Sequence, residues 1–169
     1  HIDELTDIAK GISRANSSEA LDKISKELAR QDLMFDSYFS AHMNEFADNS
    51  SIMTAVAKYK ENRSAVDEKF TARSTYVTAV KAVGEASSCI DKADSLYAKL
   101  FKQAQRYSMA KQSSKLLEKV KAKEQMAFAK IQAKYDAAAS TAGTIPELEN
   151  EFLDLEEKFT NISAISCLQ

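Results

Sequence analysis

His42 and Glu45 stand three residues apart, a spacing that on a helix puts an imidazole and a carboxylate on one face, with Asp36 about two turns earlier. That pairing belongs to the ligand vocabulary of di-metal helical bundles, where an i, i+3 Glu/His pair binds iron, manganese or zinc. Such sites need the pair twice, plus two further inward carboxylates from other helices. The only other histidine here is His1. His42 also falls near the face carrying Phe35, Phe39 and Phe46, where a boundary residue is expected rather than a ligand. No metal site and no cofactor follow.

Nucleophilic chemistry has less to work with. Cys89 has no histidine near it in sequence, and no G-x-S-x-G elbow occurs. Three glycines in 169 residues cannot spell a phosphate loop or a dinucleotide fingerprint. The chain does not read as an enzyme. Cys89 and Cys167 lack CxxC spacing, and two cysteines are too few for a disulfide scaffold. They read as free thiols, with one disulfide tying the C-terminus to a mid-chain helix as the alternative.

Binding surfaces are better represented. Phe35, Phe39 and Phe46 form the densest apolar patch of the sequence and mark a candidate groove for a partner. The competing expectation is that an aromatic stripe at helical spacing is core. Charge is segregated: residues 111–134 hold seven lysines against two glutamates, and residues 144–160 hold six acids against Lys158. The two segments are read as neighbouring helices that pair electrostatically, which would occupy the lysines and disfavour contact with a membrane surface. The formal net charge of −2 argues against a nucleic-acid binder. No run of 18 apolar residues is present, so no transmembrane helix is expected.

The elements that must position these residues are all helical. Scarce Gly and Pro and abundant Ala, Lys, Glu, Leu and Ser leave long stretches without a helix breaker. With 28% charged residues and 44% hydrophobic ones, the composition is that of a folded soluble domain. A short leading segment, residues 1–15, carries Ile2, Leu5 and Ile8. A long helix is predicted over residues 18–47, with Asn16 or Ser18 as its cap, and Asp48-Asn49-Ser50-Ser51 breaks it. From Ile52 to Ala110 the apolar period stays helical, either as one very long helix or as two that divide at Gly84 with Ser87 and Ser88, the division being the reading taken. Residues 114–166 form an antiparallel hairpin: one helix to about Ser140, then a short connection. In the second helix Leu148, Phe152, Leu155, Phe159 and Ile162 recur every three or four residues. Thr144 and Glu147 supply a capping box around Pro146.

The expected architecture is a single all-α domain, residues 1–169, an up-and-down bundle of about four long amphipathic helices with coiled-coil-like packing and a short extra N-terminal helix. The expected role is a non-enzymatic interaction or structural module binding a protein partner or a second copy of itself. Asn16, Asn49, Asn62 and Asn161 each head an N-x-S sequon, which favours a secreted, periplasmic or surface-anchored protein. The opposing explanation is that Asn-Ser-Ser at 16–18 and 49–51 is helix-cap vocabulary. An intracellular module that dimerises and contacts membranes is the alternative function.

Overall fold

The computed structural model describes residues 2–46, 48–109 and 114–165, and among them there is no strand. Five α-helices follow one another: α1 (Ile2–Arg14), α2 (Ser18–Phe46), α3 (Ser50–Met109), α4 (Ser114–Ala142) and α5 (Glu149–Ser163). A 3-10 turn, Pro146–Leu148, precedes α5. The chain divides into two compact units, His1–Val77 and Thr78–Gln169, and α3 contributes residues to each.

In the first unit, α1 and α2 are joined by three residues, and Ser17 is the hinge. Its Oγ accepts the Ala20 amide at 3.2 Å, so Ser17 caps α2 in place of the expected Asn16 or Ser18. The two helices run antiparallel: Gly11 meets Ile24, and seven residues earlier on α1 Glu4 faces Gln31. The α2–α3 turn is capped as its composition implies, with Asn49 Oδ1 accepting the Ile52 amide at 3.2 Å. Phe35 then stacks on Tyr59, Asp32 pairs with Arg63, and Leu21 packs in one cluster with Val77, which is again an antiparallel progression. Leu5, Ile12, Leu28, Tyr59 and Val66 form the buried layer among the three helices. At the far end, Arg73 Nε donates to the Ala15 carbonyl at 2.6 Å and its guanidinium lies over the Tyr76 ring, fastening the α1–α2 hinge to α3.

The second unit repeats the scheme with α3, α4 and α5. Glu85 on α3 meets Lys134 on α4, and Tyr107 and Leu117 pack against the same core further along, so these helices are antiparallel. Phe152 lies near Gly143 while Phe159 stacks on Phe128, so α4 and α5 run antiparallel. Ile131, Leu155 and Ile162 are each 1% exposed at its centre.

Three local expectations are corrected. Gly84 does not divide α3: the helix is continuous through it. The penalty of one helical glycine is about 0.5–1 kcal/mol, less than the burial gained by keeping Ala86 and Ile90 in register with the core. A Cβ at Gly84 would meet nothing within 4 Å. Gly84→Ala is therefore expected to stabilise the protein by about 0.5–1 kcal/mol in thermal denaturation, since it removes backbone freedom only from the unfolded chain.

The second correction concerns the start of the last helix. No side chain caps the 3-10 turn or α5, so the Thr144/Glu147 box does not form. Pro146 fixes φ and lacks an amide. The chain instead closes a tight turn by Leu148 N–H donating to Ile145 O at 3.0 Å, and the Glu149 N–H returning to Pro146 O.

Third, the ion pairs seen in this unit tie α4 and α5 to α3 rather than to each other. Lys134 Nζ lies 2.6 Å from Glu85, and Lys158 Nζ lies 3.2 Å from Asp91. Aromatic stacking occupies the α4–α5 seam, with Tyr135 and Phe159 at 4.1 Å, which leaves charged side chains to the flanks.

Candidate functional site

Phe35, Phe39 and Phe46 come together at one place, an open groove of about 650 Å³ at the α2–α3 turn end of the first unit. Their positions follow from α2 alone, because offsets of four and seven residues return a side chain to the same face. The opposite wall is α3, which supplies Ile52, Ala55, Val56 and Tyr59. Ile2 and Asp3 of α1, Tyr38 and Ser51 complete the lining.

Ile2 of α1 packs at the level of Phe35 and Tyr59, and α2 continues for eleven residues beyond Phe35, to Phe46. Exposure differs along the groove: Tyr59 is 4% exposed, while Tyr38 is 57% exposed.

Within the groove the rings form a ladder. Phe35 stacks on Tyr59 at 3.9 Å and on Phe39 at 6.1 Å, and Phe39 meets Phe46 at 6.4 Å. His42 is part of it, stacked on Phe46 at 5.6 Å and tilted against Tyr38 at 4.6 Å. Its Nδ1 lies 3.0 Å from the Tyr38 carbonyl oxygen, an arrangement that places the ring proton on Nδ1. His42 is thus a boundary side chain in an aromatic row. Among the described residues no three His, Cys, Asp or Glu side chains gather as a metal-binding group.

The floor of the groove is held by charge. Arg63, one turn beyond Tyr59, donates from Nε and Nη2 to the two Asp32 carboxylate oxygens at 2.7 and 2.8 Å and also pairs with Asp67. The Arg63 side chain is only 17% exposed. This two-pronged contact fixes α2 against α3. The hydrogen bonds with Asp32 hold the Arg63 pKa above its usual range, against a smaller opposing effect of burial. Burial pushes the Tyr59 phenol up, and the Asp32 charge adds to it. The ring therefore stays a neutral wall at physiological pH.

The remaining candidates lie elsewhere. Cys89 is a half-buried free thiol packed against the core of the second unit, and Cys167 lies outside the described residues. Asn49 and Ser17, each part of a sequon, are helix caps. Asn62 and Asn161 sit inside α3 and α5.

Phe35, Phe39 and Phe46 are marked in the sequence by their spacing, and the facing residues of α3 carry a comparable spacing. Ile52, Val56 and Tyr59 repeat at offsets of four and three, the same signal that marked Phe35, Phe39 and Phe46. That the two stripes face each other across one groove follows from the packing of α2 on α3. No known protein family, curated protein or solved structure matches the chain.

Proposed function

We propose that the chain is a non-enzymatic protein-interaction module whose aromatic groove receives an amphipathic helix of a protein partner. The observation that supports this reading is the groove itself: Phe35, Phe39 and Phe46 of α2 face Ile52, Ala55, Val56 and Tyr59 of α3 across an open apolar trough. A trough between two helices buries its apolar walls by receiving a further apolar element. A helix with residues at i, i+3, i+4 and i+7 facing inward fits that role. In this reading the long helices pack up-and-down with coiled-coil-like interlocking and serve as a stiff mount for the groove.

The occupant is of the same chemical kind as α1, whose Ile2, Leu5, Ile8 and Ile12 already cover the neighbouring stretch of the hairpin. A fluorescein-labelled peptide of residues 2–14 is thus a fitting probe. In fluorescence anisotropy it is expected to bind the whole protein saturably. A Phe39→Glu/Phe46→Glu variant is expected to bind at least tenfold more weakly, since a buried carboxylate has no partner there. Equal affinity for both proteins, or no saturation, would refute the groove as the binding site.

A further inference from the structure

The lysines of residues 111–134 were expected to be spent on the acidic helix beside them. The structure leaves most of them in solvent and lines them up. On α4, Lys130, Lys123 and Lys119 precede Lys134 by 4, 11 and 15 residues, the offsets of one helix flank, and Lys115 continues that flank. All four are exposed. Lys134 itself turns to α3 and meets Glu85 at 2.6 Å, so this flank of α4 adjoins α3.

The α3 side of the same contact is also basic. Lys81, Lys92, Lys99 and Arg106 stand at −4, +7, +14 and +21 from Glu85, again one flank, and all are exposed. The Glu85 carboxyl is held below its ordinary range first by the Lys134 hydrogen bond and, more weakly, by the charge of Lys81, which agrees with this placement. Two antiparallel basic stripes therefore meet along the α3–α4 seam. Among the described residues on those two flanks the acid is Glu85, and Lys134 already occupies it. The balancing acids lie toward α5, where Asp91 pairs with Lys158. A net charge of −2 thus conceals a face of eight exposed bases within the second unit.

Two apolar side chains interrupt this face. Leu96 lies 11 residues beyond Glu85 on α3, and Met126 lies 8 residues before Lys134 on α4, so both fall near its middle. Met126 is 75% exposed and Leu96 38%. A nucleic-acid backbone has no use for a protruding thioether and isobutyl group at the centre of its contact. The headgroup layer of a bilayer does: phosphates receive the ammonium groups while short apolar side chains dip below them.

We propose that the α3–α4 face of the second unit adsorbs to bilayers rich in anionic phospholipid. Lysine ammonium groups supply most of the attraction, each worth about fivefold in affinity near such a surface, and Leu96 and Met126 add shallow insertion. Salt screens the interaction, because the bases are solvent-exposed.

The test is co-flotation of the full chain with phosphatidylcholine vesicles carrying about one-third phosphatidylserine. Binding is expected on these vesicles, not on pure phosphatidylcholine, and is expected to disappear in high salt. Lys99→Gln/Lys119→Gln/Lys123→Gln/Lys130→Gln should weaken it more than about a hundredfold with unchanged helical circular dichroism. The control Lys23→Gln/Lys26→Gln/Lys58→Gln/Lys60→Gln, which removes the same charge from the first unit, should bind like the parent. Met126→Ser should weaken vesicle binding several-fold and leave any duplex-DNA binding unchanged. Failure to float with anionic vesicles would overturn the proposal, as would equal losses in both quadruple variants. Duplex DNA bound in preference to vesicles would reassign the face to nucleic acid, and salt-sensitive self-association that blocks flotation would reassign it to a second copy.

Discussion

Leu155→Ala is expected to lower stability by about 2–5 kcal/mol. Leu155 is 1% exposed and belongs to the cluster formed by Ile131, Ile162, Tyr97 and Leu100, with Tyr135, Phe152 and Phe159 packed around it. Truncation removes the transfer free energy of the lost carbons. It also leaves a cavity that stacked rings cannot fill, because the Tyr135–Phe159 and Tyr135–Phe152 contacts fix them from both sides. For a unit of this size the midpoint should fall by about 10 °C or more in thermal denaturation. Phe39→Ala provides the contrast. Its ring is half-buried on an open groove wall, so the loss should be clearly smaller than for Leu155. Equal losses at the two positions would mean that the groove is a structural core and not a receptor.

Arg63→Met should cost about 1.5–3 kcal/mol, the range for hydrogen bonds to charged groups. The substitution keeps an aliphatic stem and removes both prongs to Asp32 and the pair to Asp67. Exposed ion pairs of this chain, such as Lys10 with Asp7, are not comparable, since solvent screens them. Arg63 differs in being 17% exposed and in linking two helices. Arg63→Lys should recover only part of the loss, because a single ammonium cannot reproduce the planar fork. Hydrogen exchange is the informative readout: protection should fall in α2 and in the Ser50–Val77 part of α3. A loss under about 0.5 kcal/mol would place Arg63 with the ordinary surface pairs.

How much of this was legible in the sequence differs by element, for identifiable reasons. The all-α class and the limits of α2 and α4 follow from periodicity and from Asp48-Asn49, which local chemistry controls. The Thr144 box failed because Pro146 reshaped the turn, an effect of one residue on its neighbours' geometry that a motif does not encode. Gly84 misled because propensity is local, whereas the registry of Ala86 and Ile90 in the core is not. The charge reading erred in the same way. Opposite net charges on α4 and α5 suggested pairing, but aromatic rings took the seam and sent the lysines to the α3 side.

The groove shows the same division between local and non-local information. Phe35, Phe39 and Phe46 were readable as one helical face, and they do share a site. Tyr59, Ile52 and Val56 join them only because α3 returns antiparallel at a register set by the Asp32–Arg63 contact. Whether an aromatic stripe is core or receptor depends on what packs against it, which is a property of several helices together.

Ring resonances read the occupant of the groove most directly. With the phenylalanine and tyrosine rings isotope-labelled, titration of the residue 2–14 peptide into the whole protein should move Phe35, Tyr38, Phe39 and Phe46 along one saturable curve. Tyr97, Tyr107, Phe128 and Phe159 of the second unit should stay in place. Shifts confined to those second-unit rings, or none in the groove at saturating peptide, would contradict the assignment of this protein as a helix-binding module.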